Sequence, residues 1–425
     1  MSSAYGEEIG QAMHARLTSL YPICRSITGD GVRQTLAELQ TTIPLVVHEV
    51  PSGTKVFDWT VPNEWNIRDA WIKNSNGQRV VDFQQSNLHV VSYSTPMHAT
   101  MPLSELKSHL HSLPDRPNAI PNLTSYYKEN WGFCLSHNAL NALEDGDYEV
   151  CIDSTLAPGS LTYGELLLPG ESSDEVFFST HICHPSLAND NLSGVVVAAQ
   201  LAAEMASRPK LRYSYRFLFA PASVGAITWL ARNEMRVDRI KHGLVLSGVG
   251  DSGAITYKRS RQGSAEIDRV VEFVLANSGV PHAFEDFSPS GYDERQYCSP
   301  GFNLPVGRFS RTPYVTYPQY HTSDDNPDFV KADSLGESLR MLRMVVDVLE
   351  GSRKYINTQP KCEPQFGKRG LYSALSGAGE TTAMLWILNY SDGNNTLMDI
   401  AQRASIPFET VLKVAGILES HGLLK

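Results

Sequence analysis

The sequence predicts an α/β fold with a mostly parallel sheet flanked by helices. Two observations carry that expectation. From about residue 160 to 350, apolar strand-like runs alternate with helix-like ones. The residues most able to do chemistry stand where those strands should end, which is where open α/β sheets place their sites. At 425 residues the chain exceeds one typical domain, and a hydrophobic share of 42% supports sizeable cores. The expected partition is a discontinuous α/β domain over 1–45 and 150–355, an inserted β-rich domain over 46–149, and a C-terminal domain over 362–425.

Residues 4 to 41 read as helix, with Ile9, Met13, Leu17 and Leu20 near helical spacing and a second stretch from Thr35 to Leu39. From about residue 45 the texture becomes short and β-rich. Val46 to Val50, Val56 to Val61 and Leu88 to Tyr93 are separated by turn signals. The aromatic side chains here (Trp59, Trp65, Trp71, Tyr126, Tyr127, Trp131) read as core. In the α/β region, Leu166–Leu168, Val176–Phe178, Tyr213–Ala220, Leu244–Leu246 and Pro305–Gly307 read as strands. Ser193–Ala206, Ile227–Asn233, Glu266–Asn277 and Leu335–Leu349 read as helices.

Near the C-terminus, helices over Ala383–Leu388, Thr396–Ala404 and Pro407–Ser420, stopped by Gly422, follow the order of a winged helix. DNA binding needs a basic excess. Arg403, Lys413 and Lys425 are balanced by Asp399, Glu409 and Glu419, so the unit reads as a packing or assembly module, for instance in a homo-oligomer. A net charge of −10 also argues against nucleic acid and anionic membranes as partners. No stretch is apolar enough to span a bilayer, and the start lacks a signal peptide's pattern, so a cytoplasmic protein is expected. The six cysteines form no CxxC pair and are expected as free thiols.

The strongest motif is Thr180-His181-Ile182-Cys183-His184-Pro185-Ser186-Leu187-Ala188-Asn189-Asp190-Asn191-Leu192-Ser193-Gly194. It lies between a strand-like run and a helix-like run. Imidazole and carboxylate together suit a zinc-like ion. Three further segments fall where strands should end: Phe219 to Gly225, Ser290 to Tyr297, and Gln319 to Asn326.

These segments resemble the bacterial aminopeptidase-like zinc proteins, a branch of the co-catalytic dizinc aminopeptidases that share a fold with glutaminyl cyclases. Phe57 to Pro62, Glu64 to Ala70 and the C-terminal helices resemble that branch's β domain and winged-helix tail. The resemblance implies His181, Asp190 and Asp293 as ligands of the first metal, Asp190 being the bridging carboxylate of a dizinc site, and His321 as ligand of a second. Relatives carry acids after the next strand, one of them a general base. Here the segment reads Pro221-Ala222-Ser223-Val224-Gly225, and the acid is gone. Losing a general base removes about 10²–10⁴-fold of rate. One zinc is therefore expected, with two remaining open, and His321 serves as fourth ligand or as acid/base.

Glu294, Asp324 and Asp325 are candidate replacement bases, each also readable as a solvated loop charge. Tyr292, Arg295, Tyr297 and His184 are candidate substrate-binding residues, and Cys183 with His184 could support the metal from behind. The expected activity is metal-dependent amide-bond hydrolysis on a small peptide or amidated metabolite. The alternatives are a repurposed acyl-transfer, cyclising or deacylating enzyme of a biosynthetic pathway, and a catalytically silent binding protein.

Overall fold

The computed structural model describes residues 3–126, 128–375 and 377–425, with side chains from Gly6 onward; Tyr127 lies outside the described residues. The chain forms two compact units. One comprises Met1–Asp268 with Gly279–Arg340, the other Arg269–Ser278 with Met341–Lys425.

An eight-stranded sheet runs through the first unit. Its order is Val46–Pro51, Ser160–Leu168, Ser214–Ala220, Glu175–His181, Ile240–Leu246, Val306–Ser310, Ile255–Lys258, His282–Glu285. The four strands from Ser214–Ala220 to Val306–Ser310 are mutually parallel. The strand Glu175–His181 lies in their midst and is buried at every position. That is why it reads as a continuous apolar run rather than an alternating one. Phe177 stacks on Trp229 of the helix Val224–Asn233 at 5.1 Å, and Phe178 on Phe217 at 5.2 Å. Full burial of such side chains contributes about 1.5–3 kcal/mol each. The last residue of this strand, His181, is thereby fixed at its carboxyl end.

The segment read as inserted divides differently from the expectation. Val46–Pro51 is an edge strand of the large sheet, antiparallel to Ser160–Leu168. A half-exposed strand shows the same pattern in either sheet, so the sequence could not assign it. The small sheet has the order Arg79–Asp82, Glu64–Lys73, Asp147–Ala157, Met97–Pro102 and so runs beyond residue 149. Leu88–Tyr93 is not a strand. Ser86 accepts a hydrogen bond from the Leu88 N–H and folds Asn87–His89 into a short 3₁₀ turn. Trp65 and Trp71 are buried, and Trp59, Tyr126 and Trp131 pack against the same core. Ile255–Lys258 and His282–Glu285 are strands the sequence did not announce, because they are short and half polar.

The helices read from the sequence form at Gly194–Ala206, Val224–Asn233, Glu266–Asn277 and Ala332–Gly351. In the second unit, helices Ala378–Tyr390, Leu397–Ala404 and Phe408–Ser420 pack around Ile387, Ile400, Val411 and Leu418. Thr396 and Asp399 form a reciprocal capping box on the second of these. Gly422, at φ 69°, ends the last, a conformation glycine adopts without a Cβ penalty.

His242, on the strand Ile240–Leu246, gives this core a pH dependence. It is buried edge-on to Tyr213, and its Nδ1 has no hydrogen-bond partner. Burial, reinforced by Arg212 and Lys241, pushes its pKa down to about 4. A depressed folded pKa gives stability that is complete above the unfolded value near 6.5 and lost as pH falls toward 4. The full shift corresponds to about 3 kcal/mol. Denaturant titrations from pH 7.5 to 4 are expected to show this loss, and His242→Leu to flatten the profile. Parallel profiles for the two proteins would contradict the assignment.

Candidate metal centre

Past His181 the chain turns into a buried loop that leads to the helix Gly194–Ala206. Asn189, Asp190, Asn191 and Ser193 are all buried there. A buried loop must satisfy its polar groups locally. Asn191 donates to Thr180 Oγ1 at 2.8 Å and to the Leu246 carbonyl at 3.1 Å, and accepts from the Gly248 N–H at 3.1 Å. Asn189 donates to Asp251 at 3.0 Å and accepts from the Gly250 N–H at 2.9 Å. Ser193 accepts from the Val249 N–H at 3.0 Å. The polar run Asn-Asp-Asn thus stitches one strand end to the next and leaves the Asp190 side chain free for the histidines.

Asp190 stands between two imidazoles. His181 Nε2 lies 2.9 Å from its Oδ1, and His321 Nε2 lies 3.0 Å from its Oδ2. His181 and Asp190 are fully buried, whereas His321 is about one-third exposed. Burial alone would raise the Asp190 pKa. His184, His181 and His321 overcome it and hold the carboxyl well below the ordinary value. His184 completes a compact donor set with His181 and Asp190, one ligand atom from each lying within 4.8 Å of the others.

The residues fit a divalent cation of the zinc class. Neutral imidazoles and a committed carboxylate are its usual donors, and donors about 2.0–2.1 Å from a tetrahedral zinc lie about 3.3 Å apart. Asp293 adds an orphan. It is buried, and its Oδ1 has no hydrogen-bond partner. Burial pushes its pKa up to about 6 despite the nearby His181. An unpartnered buried carboxylate oxygen calls for a proton or a cation. Asp293 is nevertheless outside the compact set, and His184, expected as a pocket residue, is inside it.

The other sequence candidates separate clearly. Tyr292 stacks on the His181 ring at 5.2 Å, at the site but buried. Tyr297 belongs to the core: its hydroxyl bonds Ser179 at 2.8 Å, and its ring packs edge-on to Phe177. Arg295 is exposed and reaches Ser223 Oγ at 3.4 Å. The three proposed replacement bases are all engaged elsewhere. Glu294 is buried against Lys258 Nζ at 2.9 Å. Asp324 pairs with Arg116. Asp325 accepts from the Asn189 N–H at 2.6 Å and the Asp190 N–H at 2.9 Å, so it holds the ligand loop. Burial pushes the Asp325 pKa up to about 7 while those backbone bonds pull it down. Cys183 Sγ accepts from the Ala222 N–H at 3.1 Å and lies 3.5 Å from His184 Nδ1.

Sequence reasoning missed two supports. Tyr320 lies flat on the His321 ring, with centroids 4.0 Å apart and planes 14° apart. The second support comes from the β-rich segment. The Asn122 N–H donates to the His321 carbonyl at 2.8 Å, Pro121 bridges Thr322, and the Ser323 N–H donates to the Ile120 carbonyl at 2.9 Å. With the Arg116–Asp324 pair, this clamps His321 to Asp324 from one side. The adjacency of Tyr320 was visible in the sequence, but the clamp joins positions about 200 apart and left no pattern. Arg116→Met is expected to weaken zinc binding several-fold with little change in global stability, because an ion pair near the surface contributes about 0–1 kcal/mol. A chelator-competition titration beside a denaturant melt checks both.

Comparison with known proteins follows from this geometry. The model of a family described as a domain of unknown function, DUF4910, matches residues 14–352. The chain belongs to this family. A winged helix-turn-helix model matches residues 353–425. A Clostridium acetobutylicum relative is 51% identical over 98% of this chain and 97% of its own; its provisional name is polysaccharide biosynthesis protein with aminopeptidase-like domain. A crystal structure from the same organism, provisionally called a peptidase, has a TM-score of 0.94 at 50% identity, covering 99% of this chain and 97% of that one. The zinc aminopeptidase BSAP of Bacillus subtilis has a TM-score of 0.57 at 13% identity, covering 80% of this chain and 94% of its own. The fold is therefore aminopeptidase-like, with a C-terminal winged helix. No helix among the described residues is long and apolar enough to cross a membrane.

Proposed function

We propose that this protein is a metal-dependent hydrolase of amide bonds, acting on a small peptide or an amidated metabolite. The observation that carries the reading is Asp190, buried at the carboxyl end of the central strands with an imidazole on each carboxylate oxygen. Such a site is costly to bury without a cation to hold. His181, Asp190 and His184 would hold one zinc, with His321 and Asp293 as the flanking donors. When bound, the ion supplies a Lewis acid for a carbonyl oxygen and lowers the pKa of water toward 7. The chain's own contribution is to fix the donors, through the Asn189–Asn191 stitching, and to screen His181 from water with the Tyr292 ring.

The general base is not supplied by the usual strand-end acid, since Ala222 cannot accept a proton. The relative's name supports a biosynthetic setting over general peptide turnover. For the winged-helix unit an assembly role is favoured. Over residues 395–425, Arg403, Lys413 and Lys425 are balanced by Asp399, Glu409 and Glu419, and Lys413 pairs with Glu380, so the last two helices carry no basic excess for phosphates. A cytoplasmic location accords with this reading. Assays on aminoacyl amides and N-acyl amino compounds, before and after chelation, test the reading. Amine release that stops on chelation and returns with zinc is expected. Release that ignores the chelator would overturn it. Activity confined to an Ala222→Glu variant would favour a silent binding protein.

A further inference from the structure

Two imidazoles of the site stand on backbone that residues with a side chain rarely adopt. His321 has φ 53° and His184 has φ 94°, and Ser186, two residues on, has φ 45°. Such residues persist only where their surroundings hold them. The Asn122 N–H holds the His321 carbonyl at 2.8 Å. The His184 carbonyl receives Arg25 Nη2–H at 3.3 Å, from 159 positions away.

Arg25 is 1% exposed. Among the described residues it pairs with no carboxylate. Burial pushes its pKa down to about 10, against smaller opposing effects of Cys24, Cys183 and Tyr21. Its charge meets a helix end instead. Nη1 donates at 2.5 Å to the carbonyl of Leu20, the last residue of the helix Ser3–Leu20. A helix C-terminus leaves carbonyls without intrahelical partners and carries partial negative charge, which suits a guanidinium. One rigid fork thus ties the end of this helix to the backbone of His184. The adjoining turn adds to the tie. Ser186 Oγ donates to the Tyr21 carbonyl at 3.2 Å, and Asn87 Nδ2 donates to Ser186 Oγ at 3.0 Å and to the Pro22 carbonyl at 2.9 Å.

The backbone twist sets the ring. His184 Nδ1 lies 2.8 Å from the Cys183 carbonyl, and an imidazole that donates there presents Nε2 as its ligand atom. With its carbonyl released, His184 would relax toward negative φ and carry its ring away from His181 and Asp190.

We propose that Arg25 is a positioning residue of the metal centre: it touches neither ion nor substrate, and it holds His184 in the backbone conformation that delivers the ring to the donor set. This rests on the reading above in which His184 is a ligand.

Zinc affinity of the full chain, from competition with a chromogenic chelator, tests this in a double-mutant cycle of Arg25→Met with His184→Ala. Arg25→Met alone is expected to weaken zinc binding about 10–100-fold, the scale of a lost outer partner. Arg25→Lys keeps the charge and should recover part of that loss; it runs through the same cycle should Arg25→Met fail to fold. In the His184→Ala background, changing Arg25 should alter zinc affinity little, because the ring it positions is gone. A general loosening of the fold would instead cost the same in both backgrounds. Cobalt-loaded protein gives a second readout independent of turnover: the visible spectrum of Arg25→Met should move toward that of His184→Ala. Unchanged zinc affinity in the Arg25 variants, or an equal loss in both backgrounds, would overturn the inference and leave the metal centre standing. No zinc binding by the unaltered protein would overturn both.

Discussion

Asp190→Asn is expected to lower zinc affinity by at least about 10²-fold and to abolish chelator-sensitive amide cleavage. Each carboxylate oxygen faces one imidazole nitrogen, at 2.9 and 3.0 Å. An amide of the same shape offers one acceptor and one donor, so it serves one histidine and opposes the other. It also removes the negative charge that partners the ion. Loss of an outer hydrogen-bond partner alone costs 10–100-fold in metal affinity, and a direct ligand costs more. The side chain keeps its volume, so the core beneath should not change. Two measurements separate these effects: a competition titration against a chromogenic chelator, and a thermal melt with and without zinc. The variant's melt should be insensitive to zinc. An affinity equal to that of the unaltered protein would remove Asp190 from the site.

Asp325→Asn is expected to have the second largest effect, although Asp325 touches no substrate in this account. Its two oxygens receive the backbone N–H groups of Asn189 and Asp190. In asparagine one of those positions becomes an NH₂ group aimed at an N–H. A buried N–H left without an acceptor costs about 1–3 kcal/mol. The loop that loosens carries Asp190, so zinc affinity should fall alongside stability. The account requires both losses together. A variant that is destabilised yet binds zinc normally would show that Asp325 supports the fold and not the ligand loop.

Much of the fold was legible because the central strands are buried on both faces. Val176-Phe177-Phe178 and Tyr213 to Ala220 could be little else in a chain that also spaces helix-like runs between them. The edge was less legible. Val46–Pro51 joins the large sheet, but its exposed valines carry no mark of which sheet they serve. In the site, the structure brings His181, Asp190 and His321 together across about 130 positions. Their neighbours do not follow from type alone. Glu294, Asp324 and Asp325 all read as candidate bases, since a carboxylate in a loop looks the same whether it faces substrate, a lysine or a backbone N–H. Only the fold puts Lys258 beside the first, Arg116 beside the second and the Asn189–Asp190 amides on the third. Tyr297 likewise falls into the core because the one-turn helix Glu294–Tyr297 points it at Phe177. The clamp from Arg116 to Asn122 onto the His321 loop shows a role for the β-rich segment that no local pattern encodes.

The most direct test of the central claim is the metal content of the chain purified without chelators or a metal-affinity tag, measured by elemental analysis beside Asp190→Asn. The account predicts about one zinc per chain in the unaltered protein and almost none in the variant. No zinc in the unaltered protein, even after zinc is supplied, would contradict the metal centre and the hydrolase reading built on it.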